Sequence, residues 1–115
     1  MRLHIAAITV ALAVTPKLAS ADDKAAAEEA FSRAKQLVAA GNFAEACPLF
    51  EASHRADPQI GALLNAADCY EQLGRTATAW AEFREADELA TKRHDKRAPY
   101  AKQRAEALVD RKSVV

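Results

Sequence analysis

The chain has 115 residues with sixteen Lys and Arg against sixteen Asp and Glu, so its formal net charge at pH 7 is zero. This length limits the protein to one small domain. The charge is unevenly divided, because residues 22–90 carry six basic against thirteen acidic residues and residues 91–115 carry eight against three. A nucleic-acid-binding protein needs a larger basic excess with aromatic residues among the charges, and the basic end holds only Tyr100. The composition therefore argues against nucleic acid as a partner.

The first 21 residues, MRLHIAAITVALAVTPKLASA, have the parts of a secretory signal peptide. Arg2 supplies a positive charge, residues 5–14 form an apolar run, and Ala19 and Ala21 are the small residues that signal peptidase requires. This run is too short to span a bilayer of about 30 Å. We predict cleavage after Ala21, a periplasmic or secreted mature chain, and no stable membrane insertion after cleavage. An N-terminal anchor or a buried helix is the alternative.

Beyond residue 21 the sequence is typical of an all-α protein, because Ala, Glu, Lys, Arg and Leu are abundant and Val and Thr are scarce. Apolar residues recur at helical spacing between short turn signals. The predicted helices span 22–40, 42–56, 59–73, 76–92 and 95–112. Since the turns are very short, each helix should lie antiparallel to the next.

The second predicted helix carries a start signal and a conflicting residue. Asn42 followed three residues later by Glu45 predicts a capping box, directly after Gly41 has ended the first helix. Pro48 then lies about six residues inside the helix, where a proline removes one backbone hydrogen bond and costs up to ~3 kcal/mol. We therefore expect a helix that is kinked or that is only loosely formed at its start.

Shifting the chain by 33 residues superposes the first predicted helix pair on the second. Small residues then fall on small residues and aromatic residues on aromatic or large ones, which is typical of an internal repeat. The matched residues are Ala34 with Ala67, Leu37 with Tyr70, Gly41 with Gly74, Ala46 with Ala79, Phe50 with Phe83, and Ser53 with Ala86. In each second helix the last three matches lie at i, i+4 and i+7, so one face should pack on the first helix.

The stretches AAGNFAEACPLFEASHRADP and LLNAADCYEQLGRTATAWAEFREADELA resemble tetratricopeptide repeats. They carry the Gly-x-aromatic turn, the alanine and aromatic of the second helix, and one closing proline. Departures are Thr76 in place of the second turn aromatic, no closing proline in the second unit, and a period one residue shorter than the usual ~34. More narrowly, the run from Cys47 to Ala86 resembles secreted or periplasmic tetratricopeptide proteins of bacteria such as the myxobacteria.

The resemblance implies an α-solenoid of antiparallel helix-turn-helix repeats in a domain spanning residues 22–112. Two repeats would lie at about 24–58 and 59–92, and a capping helix at about 95–112 would cover the last unit. Two units are near the lower limit for an array, so a homodimer or a continuation in a longer chain is an open alternative.

The resemblance also implies a function, a protein-protein interaction module whose first helices line a groove for a peptide or protein partner. The groove-facing candidates are Phe31, Lys35, Leu64, Asn65, Asp68 and Gln72. Asn65 matches an asparagine with which some family members hold a peptide's backbone or terminal carboxylate, but the accompanying lysine and asparagine are not both present. Asn65 as a helix-stabilising residue is the alternative. A structural or oligomerisation fragment of a larger cell-envelope protein is the alternative function.

Two cysteines lie at matched distances from the predicted turn at Pro58, Cys47 eleven residues before it and Cys69 eleven residues after it. Across an antiparallel hairpin they stand at the same height, and export would favour their oxidation to a disulfide. Packed helices lie about 8–10 Å apart, so a bridge requires close approach, which small residues in both helices would permit. Two buried thiols are the alternative.

The residues that could carry chemistry form no catalytic constellation. His54 and His94 have no histidine or cysteine at i+3 or i+4, and Cys-x-x-Cys is absent. The glycines are isolated turn residues without the pattern of a phosphate-binding loop. We therefore predict no catalytic residue, no metal, no cofactor and no enzymatic activity.

Overall fold

The computed structural model describes residues 3–12 and 18–113, which contain five α-helices and no strand. These helices are α1 (Ala21–Ala39), α2 (Phe43–Ala56), α3 (Ile60–Gln72), α4 (Thr76–Lys92) and α5 (Ala98–Ser113). Each helix packs against the next one along the chain. Since the first three connections are three residues long, these neighbours run antiparallel. The all-α prediction is confirmed.

The segment before α1 bears on the predicted signal peptide without testing it. Residues 3–12 have no regular secondary structure and are exposed, while Arg2 and residues 13–17 lie outside the described part of the chain. α1 begins one residue earlier than predicted because Ser20 caps it. The Ser20 hydroxyl accepts the Asp23 N–H at 3.1 Å, and the Asp23 carboxylate accepts the Ser20 N–H. Cleavage after Ala21 remains a prediction.

The first helix of each pair, α1 or α3, ends in the same way. Gly41 and Gly74 have φ angles of 76° and 73°, a left-handed conformation in which glycine carries no Cβ penalty. The Gly41 N–H donates to the Val38 carbonyl at 2.9 Å, and the Asn42 N–H donates to the Leu37 carbonyl at 2.7 Å. The second pair repeats both bonds around Gly74. These bonds satisfy helix-end carbonyls and turn the chain back sharply.

The predicted capping box at the start of α2 is wrong. Asn42 is the N-cap residue, but its side chain makes no cap hydrogen bond. Its N–H already donates to Leu37 and is therefore not available to the Glu45 carboxylate. Its φ of −95° and ψ of 65° also differ from the extended conformation typical of a capping residue. Pro48 is exposed inside α2, and the helix continues past it to Ala56.

α5 begins at Ala98, three residues later than predicted, because the preceding residues form a turn. His94 adopts a left-handed φ of 53°. The Asp95 carboxylate accepts the backbone N–H of Arg97 at 2.9 Å and also holds its guanidinium. Pro99 then occupies the first turn of α5, where a missing N–H costs no helical bond.

The core is built from the repeated positions of the second helices, α2 and α4. The largest fully buried side chains include Phe50 and Phe83, the equivalent aromatic residues of the two pairs. Both predicted i, i+4, i+7 triplets are buried throughout: Ala46, Phe50 and Ser53 in α2, and Ala79, Phe83 and Ala86 in α4. The predicted face of each second helix is therefore confirmed as the packed one.

A disulfide joins the two pairs. Cys47 of α2 and Cys69 of α3 are bonded, with their Cα atoms 5.5 Å apart. Helices this close require small neighbours, and Ala46, Ala62 and Ala66 are all buried nearby in sequence. The predicted pairing is confirmed. Within the described residues, no helix is both long enough and apolar enough to cross a bilayer.

Candidate functional site

Two open pockets lie along the first helices α1 and α3. The Phe31 pocket, about 600 Å³, is lined by residues of α1, α2 and α3 and by one residue before α5: Ala27, Glu28, Phe31, Ser53, Asp57, Gln59, Gly61, Ala62 and Arg97. The Asp68 pocket, about 520 Å³, lies nearer the other end of the same two helices and includes a residue of α5: Val38, Phe43, Phe50, Asn65, Asp68, Cys69, Glu71, Gln72 and Arg104. We call the two pockets together the groove.

Helical spacing explains why α3 contributes to both pockets. Gly61, Asn65, Asp68 and Gln72 lie at i, i+4, i+7 and i+11, which places them on one side of the helix. On α1, Phe31 and Val38 are seven residues apart and belong to different pockets. The groove therefore follows the two first helices lengthwise.

The floor of the Phe31 pocket is apolar and internally hydrogen-bonded. The partly exposed Phe31 ring meets the buried Phe50 ring edge-on, with centroids 5.5 Å apart and planes inclined by 67°. Ser53 is buried, and its hydroxyl donates to the Ala27 carbonyl at 2.8 Å. Because that bond joins α2 to α1, the floor is fixed by packing and by a satisfied buried hydroxyl.

The rim of the Phe31 pocket has an acidic excess. Glu28 is exposed and Asp57 is half-buried, and neither has an ion pair within 4 Å among the described residues. Arg97, the cationic residue of this pocket, is held by Asp95 with its Nε and Nη2 each 2.9 Å from a carboxylate oxygen. Those bonds keep the pKa of Asp95 well below its ordinary value. The guanidinium is thus already neutralised by its own partner.

The Asp68 pocket also contains compensated cations. Glu71 pairs with Arg104 and, at 3.2 Å, with Arg111, so one α3 carboxylate binds two α5 guanidinium groups. Arg104 lies in addition over the Phe83 ring, 5.2 Å from its centroid. Burial raises the pKa of Asp68, while Arg104 lowers it and Glu71 raises it further. Asp68 is therefore a partly desolvated carboxyl beside an arginine that another carboxylate already binds.

Asn65 on α3 lines the Asp68 pocket. Its Nδ2 donates to the Gly61 carbonyl of the preceding turn at 2.7 Å. This bond supports the helix and fixes the amide against its own backbone. The Oδ1 acceptor and the second N–H of the amide make no other hydrogen bond within the described residues.

The structure brings four of the six predicted groove residues together. Phe31 lines one pocket, and Asn65, Asp68 and Gln72 line the other. Lys35 is exposed and lines neither of them.

Leu64 has only 8% of its surface exposed and belongs to the core. Its neighbour in sequence, Asn65, faces the pocket, because successive residues of a helix point about 100° apart. Leu64 is therefore left out of the binding surface proposed below.

The α5 side of the groove was missed by the sequence reasoning. Arg97, Arg104 and Arg111 recur every seven residues, and the last two reach Glu71 across 33 and 40 positions in the sequence. The seven-residue spacing of arginines on a helix was the available signal. Their acidic partner on α3 is set by the packing of α5 and has no local sequence signal.

A second titratable cluster lies outside the groove. The Glu82 side chain on α4 faces Glu51 of α2, and its Oε2 is buried with no hydrogen-bond partner among the described residues. Burial, followed by a hydrogen bond to Glu51, raises the pKa of Glu82 to about 8, with Glu85 adding to the shift and Arg75 opposing it. Burial and a hydrogen bond with Glu51 raise the pKa of Tyr70 to about 12. The Glu82 carboxyl therefore keeps its proton near neutral pH.

Within residues 3–12 and 18–113 no group of three or more His, Cys, Asp or Glu is arranged to hold a metal ion. Comparisons with protein-family models, with curated proteins and with solved structures find no match to this chain. The class that the fold defines is an all-helical protein of consecutively packed, repeat-like helix pairs. Its function is therefore inferred from the side chains that line the groove.

Proposed function

We propose that this protein is a tetratricopeptide-like interaction module that binds a peptide or protein segment in the groove and performs no chemistry itself. The observation that carries the proposal is the alignment of both pockets along α1 and α3, the equivalent first helices of the two pairs. An apolar floor combined with a few placed polar groups is the usual character of a binding site.

The tetratricopeptide assignment is supported by the 33-residue internal match and by the identical glycine turns that end α1 and α3. The small-aromatic-small triplets that pack α2 and α4 agree with the same repeat pattern. Export is supported by the signal-like N-terminus, and the Cys47–Cys69 disulfide is compatible with an extracellular location. We propose that the module works in the periplasm or outside the cell.

The proposal can be tested with a random peptide library displayed on phage and selected on the purified, oxidised protein. Selected peptides are then synthesised, and their affinity is measured by isothermal titration calorimetry. Asn65→Ala should weaken binding by about tenfold or more, since it removes two polar contacts at the centre of the groove. Gln103→Ala, an exposed amide on α5 that lines neither pocket, is the matched control and should bind normally.

Two outcomes would contradict the proposal. One is the failure of any selected peptide to distinguish Asn65→Ala from Gln103→Ala, because binding would then lie elsewhere. The other is a concentration-dependent dimer in sedimentation equilibrium that is lost in Asn65→Ala, because the groove would then serve self-association.

A further inference from the structure

The charges of the groove indicate which kind of peptide fits it, and this inference rests on the proposed function. We propose that the ligand is an extended basic segment whose two cationic side chains, about three residues apart, contact Asp57 with Glu28 in one pocket and Asp68 in the other.

The Phe31 pocket offers two carboxylates without a protein cation. Asp57 and Glu28 have no ion pair within the described residues, and the Arg97 guanidinium is bound by Asp95. A lysine or arginine side chain entering this pocket would place its aliphatic part on the Phe31 ring and its charge at the rim. An acidic side chain would meet two like charges there, which are offset only in part by Arg93, whose guanidinium donates to the Pro58 carbonyl at 3.0 Å.

The charges around the Asp68 pocket balance in number, but one carboxyl of this pocket has no ion pair. Both nearby arginines are ion-paired with Glu71, and Asp68 has no ion pair within 4 Å among the described residues, although Arg104 still lowers its pKa. Burial disfavours its charged form, as the raised pKa of Asp68 indicates. A ligand cation would offset that cost, so this position should prefer a positive side chain.

The length of α3 sets the spacing between the two cations. The first pocket contacts α3 at Gly61 and Ala62, and Asp68 lies six to seven residues further on. At a rise of 1.5 Å per residue this is about 10 Å along the groove. A peptide in the polyproline II conformation advances about 3.1 Å per residue and has three residues per turn, so cationic side chains three residues apart lie on the same side and match the two pockets.

Three synthetic peptides of matched size test the inference by calorimetry in low salt. The probe is acetyl-GKAFKG-amide, which has two lysines three residues apart. The charge control is acetyl-GEAFEG-amide, and the spacing control is acetyl-GKKAFG-amide, which has the composition of the probe. We expect the probe to bind about fivefold or more tightly than the spacing control, the acidic peptide not to bind, and added salt to weaken the probe.

Protein variants assign the contacts. Asp57→Asn and Asp68→Asn, which preserve side-chain shape, should each weaken the probe by about three- to tenfold and bring it towards the affinity of the spacing control. Glu45→Gln, an exposed carboxylate on α2 that lines neither pocket, should leave it unchanged. Circular dichroism confirms that each variant is folded.

The outcomes separate this inference from the function on which it rests. If library-selected peptides depend on Asn65 yet carry no paired basic residues, or if the spacing control binds as well as the probe, the basic-segment inference is overturned and the groove remains the binding site. If no peptide depends on Asn65, the proposed function itself fails. Equal binding to the Glu45→Gln and Asp68→Asn variants would also overturn the inference.

Discussion

The helix pairs α1–α2 and α3–α4 repeat the same sequence positions, yet equivalent residues have different roles. Phe31 and Leu64 coincide under the 33-residue shift, but Phe31 is partly exposed in a pocket and Leu64 is buried in the core. The second pair packs between α2 and α5, whereas the main helix contact of α1 is with α2. An inner unit therefore turns a repeated apolar position into core, and an end unit leaves it available for binding.

The two pairs are also fastened to their neighbours by different forces. The disulfide between Cys47 and Cys69 joins α2 to α3 covalently. The α3–α5 contact includes Glu71 and its two arginines, an arrangement with exposed members that salt can weaken, while α5 itself packs on α4 through buried apolar residues. The difference indicates that the α2–α3 junction should be the most persistent part of the fold.

The largest expected effect is the loss of the disulfide. Its sequence separation is 22 residues, and closing a loop of that size should stabilise the folded chain by about 3 kcal/mol. The double variant Cys47→Ser with Cys69→Ser should lose this amount in urea unfolding. As a control, reductant should destabilise the wild-type protein to the same level and leave the double variant unchanged. Equal stability of the oxidised and reduced wild type would contradict the prediction that the disulfide stabilises the fold.

Alanine substitution at the two equivalent apolar positions tests the comparison of the pairs most sharply. Leu64→Ala should cost about 2–3 kcal/mol of unfolding free energy, because it opens a cavity in a packed core. Phe31→Ala should cost about 1 kcal/mol, because its ring is partly exposed already, and should chiefly weaken peptide binding. A larger stability loss for Phe31→Ala than for Leu64→Ala would break the distinction between inner and end units.

The half-buried Glu82 carboxyl, which faces Glu51 of α2, predicts that the stability of the fold depends on pH. The pKa of Glu82 is raised in the folded state to about 8, so the folded chain holds a proton that the unfolded chain releases near 4.5. The free energy of unfolding should therefore fall as pH rises from about 4.5 to about 8. The change should be on the order of 1 kcal/mol once solvent screening of this half-buried group is counted.

Neutral variants check that assignment. Glu82→Gln should remove most of the decline, because an amide can donate to Glu51 at every pH. Glu88→Gln, at an exposed position of the same helix, should preserve it. A decline of the same size in Glu82→Gln would mean that another group is responsible.

The smallest effect concerns the chain reversals. Gly41, Gly74 and His94 all have positive φ, but only the first two are glycines. His94→Gly should raise stability by no more than about 1 kcal/mol, because a side chain in this conformation is unfavourable and the unfolded glycine is more flexible. Gly41→Ala should lower stability by about 1 kcal/mol. Thermal unfolding of the two variants measures both changes in stability. A change of the opposite sign in either variant would contradict the prediction.

Local signals in the sequence accounted for most of the fold. The helices, the glycine turns and the Cys47–Cys69 pairing follow from spacing along one or two helices, and all are present in the structure. The start of α2 was mispredicted because the Asn42 N–H is used by the preceding helix end, a competition that the capping pattern does not reveal. α5 starts late because Asp95 binds Arg97 within the turn.

The candidate site was less predictable, because it depends on which helix covers which. Helical spacing correctly put Asn65 and Asp68 on one face of α3, but it did not show that Leu64 lies inside. The wall contributed by Arg97 and Arg104 depends on α5 packing beside α3, which no local pattern fixes. The signal peptide and the binding function remain predictions.

The central claim is that the groove along α1 and α3 binds a peptide, and chemical-shift mapping by nuclear magnetic resonance tests it most directly. The ¹⁵N-labelled, oxidised protein would be titrated with a library-selected peptide. We expect the largest chemical-shift changes on backbone amides of residues 27–38 and 61–72, with little change on the exposed sides of α2 and α4. Shifts concentrated on α2 and α4 would contradict it.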